Sequence, residues 1–360
     1  MKRIFVSDCE GPISKNDNAF EITASFVPDG DKLFTVVSKY DDFLADVIRK
    51  PGYSAGDTLK LILPFLKAYG VTEQQIQDFS ARNLVLIRES KQTLQHIRTI
   101  TEAFIVSTSY EQYIRALCQA LEFPFESTYC TKLKLDKYPL NQTDTARLRE
   151  IAKEIACMPV IKIPESAKTI NDFNPDNQKI IAKLNEIFWG DLALKCCKKI
   201  FSEVTPIGGV QKATAIKDAA KKSGVSLSDV MYVGDSITDV EAFKLISKNG
   251  GLAISFNGNK YAICNAEIAV ISESSAPIAA IADVFIRNGK TKALNLAKEW
   301  TRESLEGSIV NEKLLTWFFG NYPRTAPQVK IITTQNRDAL IEESSEFRKK
   351  VRGAAVGKLG

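Results

Sequence analysis

The chain has 360 residues, of which 44% are hydrophobic and 25% charged, a globular balance long enough for one large domain with insertions or for two to three units. Its net charge of +5 is spread along the sequence, with no sustained basic stripe or interleaved aromatic platform, so nucleic acid is not an expected partner. One histidine, His96, and seven cysteines without a C-x-x-C spacing argue against a structural zinc site.

The predicted elements begin with a buried strand over residues 3–7. From about 18 to 98 the pattern is mainly helical, in segments 32–49, 55–69 and 72–97. The last of these opens on Thr72-Glu73-Gln74-Gln75, a capping box in which Thr72 caps and Gln75 reaches back. Phe104-Ile105-Val106 reads as a short strand, 111–121 as a helix, and 127–135 as a strand or hairpin. Residues 140–204 look helical again, broken by Pro159, Pro164 and Pro175. A helix over 212–222 stops at Gly224. Val230–Val233 is an apolar strand, and 251–255 and 268–271 read as two more. A long helix over 292–319, a strand over 329–332 and a helix over 337–351 follow. The basic run Arg348-Lys349-Lys350-Val351-Arg352 is expected to be a solvated end. The vicinal Cys196-Cys197 reads as reduced thiols in a helix, and His96 as a packing or solvent-facing residue.

No stretch reaches the apolar length of a membrane span. The best, 276–286, is short and carries Pro277 and Asp283. Nothing at the start resembles a signal peptide, and the cysteine usage suits a reducing cytoplasm, which is the expected location.

Strands alternating with helices imply an α/β domain with a parallel sheet, in which ligands sit at the carboxyl ends of strands. Asp8, Ser107 and Asp235 all fall at such ends. Asp8-Cys9-Glu10 follows an apolar run and precedes Gly11-Pro12, a tight turn. Its two carboxylates suit a nucleophile, Asp8, and a general acid then base, Glu10; a turn with surface acids is the plainer alternative. Ser107 offers a hydroxyl to a phosphoryl oxygen, with Thr108 and Ser109 as neighbouring alternatives. Gly234-Asp235-Ser236-Ile237-Thr238-Asp239 lets two carboxylates project toward one point, or Asp235 simply caps a helix. If Asp8, Glu10, Asp235 and Asp239 share a crevice, their repulsion calls for cations: Lys212 supplies one charge and a divalent ion two more. Carboxylates without His or Cys select a hard ion, Mg2+.

These motifs, FVSDCEGPI, FIVSTS, GGVQKATAI and VMYVGDSITDVEAF, resemble those of the haloacid dehalogenase superfamily of phosphohydrolases. The interval from Lys212 to Asp235, with a single helix between, is similar to the phosphoserine-phosphatase branch. The DCEGPI opening is similar to archaeal members described as an accessory subunit of an energy-converting hydrogenase. The resemblance implies a Rossmann-like parallel sheet with an inserted helical cap. It implies attack by Asp8 on phosphorus, proton transfer by Glu10, and a metal held by Asp8, the Glu10 carbonyl and Asp235, with Asp239 beside it. Ser107 and Lys212 would hold the phosphoryl oxygens. Glu10 departs from the Asp that most family phosphatases carry, and some D-x-E members pass the phosphoryl group to an alcohol. Phosphatase, phosphotransferase and non-catalytic accessory protein are therefore all carried forward, the first as the leading reading, with a small phosphorylated metabolite as substrate.

The expected organisation is a core from 1–17, 99–134 and 205–290, a cap at 18–98, a second helical insertion at 135–204 and a C-terminal extension at 291–360. Asp17, at the cap entrance, is read as a loop acid or as a reader of a substrate ammonium. The insertion and the extension are candidate surfaces for a protein partner or a second copy, or a second lid.

Overall fold

A computed structural model describes residues 2–192, 197–322, 327–354 and 356–358; Cys196 lies outside the described residues. Among these, seven strands form one sheet: β1 (Ile4–Ser7), β2 (Ala103–Tyr110), β3 (Thr128–Thr131), β4 (Val230–Gly234), β5 (Leu252–Phe256), β6 (Ile268–Ile271) and β7 (Gln328–Ile331). Their order is β3-β2-β1-β4-β5-β6-β7, parallel except for the antiparallel edge strand β7. The chain leaves β1 toward β2 on one side and returns to β4 on the other. The crevice between β1 and β4 is thus the topological switch point, where open α/β sheets bind ligands.

The central strands are short apolar runs because both faces of a parallel sheet are covered. Alternate residues serve opposite layers. Phe5, Ile105, Met231, Val233 and Ile254 join the layer of helices Ser90–Ile100, Glu111–Leu121 and Ala276–Asn288. Ile4, Val6, Val106, Val230 and Tyr232 join the layer of helices Val210–Ser223 and Val240–Lys248. Gly224 ends the first of these in the left-handed region at φ +67°.

A separate helical module covers the carboxyl end of the sheet. Its core mixes residues 19–76 with residues 133–204: Tyr40 stacks on Phe188 at 5.8 Å, Phe65 meets Phe188 edge-on at 6.3 Å, and Tyr40 donates to Asn185 Oδ1 at 2.6 Å. The two insertions of the sequence reading therefore share one interior. The Ser90–Ile100 helix, written into the cap from sequence, packs instead on Ala276–Asn288 in the sheet layer. Its Leu94 and Ile97 face that layer, and 84–89 crosses between the two bodies.

Other expectations shift for local reasons. The 72–97 segment is two helices, Glu73–Asn83 and Ser90–Ile100, with the expected Thr72–Gln75 capping box on the first. Pro175 starts a helix rather than breaking one, sitting at its first position behind the cap Asn174. The long helix over 292–319 is three: Lys290–Lys298, Arg302–Ser308 and Glu312–Asn321. Thr301 and Asn311 each cap a new start, accepting from Ser304 N–H and Leu314 N–H. The helix Arg337–Arg352 follows β7 and runs back to the switch point. No helix among the described residues is long and apolar enough to cross a membrane.

Candidate active site

Ser7 pairs with Val233 in register, and Asp8 N–H continues the ladder onto Val233 C=O at 2.8 Å. Asp8 and Asp235 thus emerge side by side from neighbouring strand ends. Gly11, at φ +108°, lets the turn after Asp8 pass against Asp235; a Cβ there would lie 2.1 Å from Asp235 Oδ2. Gly234 serves the same purpose toward Asp239, whose carboxyl carbon would meet a Cβ at 2.5 Å.

Asp8 Oδ1 accepts from Cys9 N–H at 2.7 Å, and its Oδ2 lies 2.8 Å from Lys212 Nζ. Lys212 donates to Asp239 Oδ1 at 2.6 Å, as does Tyr232 OH at 2.6 Å. Asp239 Oδ2 accepts from the backbone N–H groups of Asp235 and Ser236, both at 2.9 Å, which closes the turn between strand and helix. One carboxylate oxygen each from Asp8, Asp235 and Asp239 lies within 4.8 Å of the others, all buried.

Burial pushes the Asp8 carboxyl up to about 7, against the pull of Lys212. Burial also works against the Lys212 ammonium, yet Asp239 and Asp8 outweigh it and hold its pKa above the ordinary lysine value. Burial disfavours the Asp239 carboxylate too, but Lys212, Tyr232 and Asp235 N–H win and its pKa is lowered.

Glu10 does not join the triad. Its Oε1 accepts from Asn18 N–H at 2.7 Å at the start of the Asn18–Phe26 helix, and burial, then Asp17, holds its carboxyl well above the usual range. Asp17 caps that helix, accepting from Phe20 N–H at 3.1 Å, and also lines the cavity in front of Asp8. Ser107 is buried within β2 rather than at its end, since the strand runs on to Tyr110 with an irregularity after Val106. Ser107 Oγ accepts from Ser109 N–H at 3.1 Å, and it is Thr108 that lines the cavity. The cavity measures about 90 Å³, and Phe34, Asp41, Thr58 and Leu59 of the helical module form its roof.

Arg348 and Arg352 were expected at a solvated end and are instead buried at the site. Arg348 Nη1 bonds to Asp235 Oδ2 and to Asp235 C=O, the latter at 3.3 Å, and Arg352 Nη1 lies 3.1 Å from the same carboxylate oxygen. Arg352 also donates to Lys15 C=O at 3.0 Å and to Asn16 C=O. Burial lowers the Arg348 pKa despite Asp235, whereas Asp235, Asp17 and Glu10 outweigh burial at Arg352 and raise it. Lys349 and Lys350 are exposed, as predicted for the run. The signal for the two arginines is a four-residue period, Leu340-Ser344-Arg348-Arg352, which puts all four on one helix face. His96 is a structural residue, 3.2 Å from the fully buried Asp283.

The sequence profile of haloacid dehalogenase-like hydrolases matches residues 60–280. The chain belongs to that family. The match starts beyond Asp8 and Glu10, so their place in the site rests on the geometry above. The structure of a gene product from Archaeoglobus fulgidus superposes with a TM-score of 0.80 at 25% identity, covering 100% of this chain and 99% of that one. Phosphoserine phosphatase in its apo form gives 0.46 at 12% identity over 77% of this chain and 98% of its own. A phospho-aspartyl intermediate analogue of phosphoserine phosphatase gives 0.44 at 13%, over 76% and 95%. No match emerges among curated proteins. The buried carboxylate triad could hold a metal ion, and its all-oxygen donor set is chemically suited to a hard divalent one.

Proposed function

We propose that this hydrolase is a Mg2+-dependent phosphatase acting on a small phosphate monoester through an aspartyl-phosphate on Asp8. The observation that carries the reading is the shared ammonium: Lys212 bridges Asp8 and Asp239 beside Asp235, at the switch point of the sheet. That cluster combines a nucleophile with fixed positive charge where phosphoryl oxygens would gather, and phosphoryl transfer is chiefly positioning and charge stabilisation.

Asp8 attacks phosphorus with the oxygen not held by Cys9 N–H, the one that faces Lys212. Lys212 offsets the charge of the phosphoryl oxygens. Asp239, fixed by Tyr232 and two backbone N–H groups, holds that ammonium in place. Thr108, which lines the cavity, would turn its hydroxyl from Ile207 C=O, now 3.2 Å away, to a phosphoryl oxygen, with Ser107 buried beside it in the strand. Glu10, kept protonated by burial, can give its proton to the leaving oxygen and then take one from water. A Mg2+ ion held by Asp8 and Asp235 would supply charge that keeps Asp8 ionised and neutralises the transferring group. The helical module roofs the cavity and so limits how much water reaches it.

The test is phosphate release from a generic aryl phosphate. Release is expected with Mg2+, lost on adding EDTA, and reduced on the order of a thousandfold or more in Asp8→Asn. Turnover surviving that substitution would refute the nucleophile. Inclusion of an alcohol acceptor separates transfer from hydrolysis, since a transferase yields a new phosphorylated alcohol. The two arginines on Asp235 favour a second reading, a non-catalytic protein on this scaffold; it predicts no turnover on a broad metabolite panel with metal present.

A further inference from the structure

The Arg337–Arg352 helix brings two guanidinium groups onto one oxygen of Asp235, a residue that the phosphatase reading assigns to a metal ion. Together they carry the same charge as a divalent cation. We propose that this helix competes with the cation for Asp235, so that Arg348 and Arg352 set how tightly the ion is held. The inference rests on the metal-dependent reading above and concerns its regulation.

Three observations support it. Mg2+ takes its oxygen ligands at about 2.0–2.1 Å in strict octahedral geometry. Arg348 and Arg352 already lie within hydrogen-bonding reach of Oδ2, so an ion there would displace them, and an ion on Oδ1 would face two like charges with little solvent screening. Arg348 Nε is buried with no hydrogen-bond partner, so this guanidinium is incompletely satisfied where it stands. Finally, the helix is held differently along its length. Leu340 packs with Ile263, Ala269 and Ile271, Phe347 lies against them, and Ser344 donates to Gly258 C=O at 2.7 Å. Beyond that point Arg348 and Arg352 bond to the Asp235 carboxylate and to the backbone carbonyls of Asp235, Lys15 and Asn16, Val351 lies against the sheet-layer core, and Gly353 at φ +85° ends the helix. Release of the last turn leaves the Leu340 anchor in place and parts only Val351 from the sheet-layer core.

Arg352 also holds Lys15 and Asn16, the link from the nucleophile turn into the helical module. Release of the last turn by an ion therefore loosens the tether beside the cavity. Coupling of this kind is reciprocal: an ion that loosens the turn is itself weakened by the turn.

The test uses Mn2+ with the full chain. Free Mn2+ is followed by its paramagnetic resonance signal during titration of the wild type and of the Arg348→Gln/Arg352→Gln double variant. The double variant is expected to bind Mn2+ at least about tenfold more tightly. In the wild type, Mn2+ is expected to speed hydrogen exchange of amides 345–352 while leaving 337–343 unchanged. Equal affinities overturn the proposal; should the variant not fold by circular dichroism, unchanged exchange in the wild type does so. Equal affinities together with Mn2+-dependent hydrolysis reject the competition and leave the phosphatase standing. Tighter binding by the variant with no hydrolysis in either form keeps the competition and rejects the phosphatase. No Mn2+ binding by either form rejects both.

Discussion

Lys212 has no solvent exposure and two carboxylates within 2.8 Å, so its removal is a severe test of the site. Lys212→Met would leave Asp8 and Asp239 buried and facing each other without their shared ammonium. Breaking a buried pair from one side costs about 3–5 kcal/mol. A loss of that size in urea denaturation is expected, with a fall in phosphate release that added Mg2+ does not restore. Much of this geometry is legible in sequence. Asp8 and Asp235 each follow an apolar strand, and the spacing to Asp239 closes a turn, so their positions are set by backbone rather than by distant packing. Ser107 is less legible: Thr108 and Tyr110 are good strand formers, and β2 continues through them beyond the apolar run. Arg348 and Arg352 are least legible, because a basic run reads equally as a solvated end and their partner Asp235 lies 113 and 117 residues away.

Among the elements, the Gly30–Asp42 helix carries the clearest pH signature. Asp41 near its end accepts from Tyr53 OH at 2.5 Å and Gly56 N–H at 2.9 Å, and burial pushes its carboxyl up to about 7. A carboxyl whose folded pKa is raised binds its proton more tightly folded than unfolded. Its favourable contribution is therefore present at low pH and lost as pH rises from about 4 to about 7. Burial raises Glu21 to about 7 as well, so the two act in the same direction. Folding stability measured by urea is expected to decline across that window, and Asp41→Asn to flatten the slope. An unchanged slope would mean that Asp41 is ionised throughout. Helix ends are legible where a side chain caps locally, as at Thr72, and hidden where hydrophobic periodicity runs across a cap, as at Thr301 and Asn311. Periodicity reports which face is buried; a turn that reorients the next helix can preserve it.

For the whole molecule, the decisive feature is that segments far apart in sequence share interiors. Phe188 belongs to the second insertion yet packs on Tyr40 and Phe65. Phe188→Ala is expected to cost about 3–5 kcal/mol. It should reduce hydrogen-exchange protection in 30–47 and 142–156 together, while β1 and β4 keep theirs. Protection lost in only one segment would show two independent bodies. The α/β class is legible in the alternation of strands and helices, but this shared interior is not, since each insertion alone looks like a self-contained helical stretch. The same distance argument applies to Arg352, which meets Asn16 across 336 residues of chain. During vectorial synthesis the turn that carries Asp8 and Asn16 leaves the ribosome 336 residues ahead of its tether. Every nascent intermediate before the tether emerges carries an acidic mouth without its arginine clasp, open to whatever cation the surroundings offer.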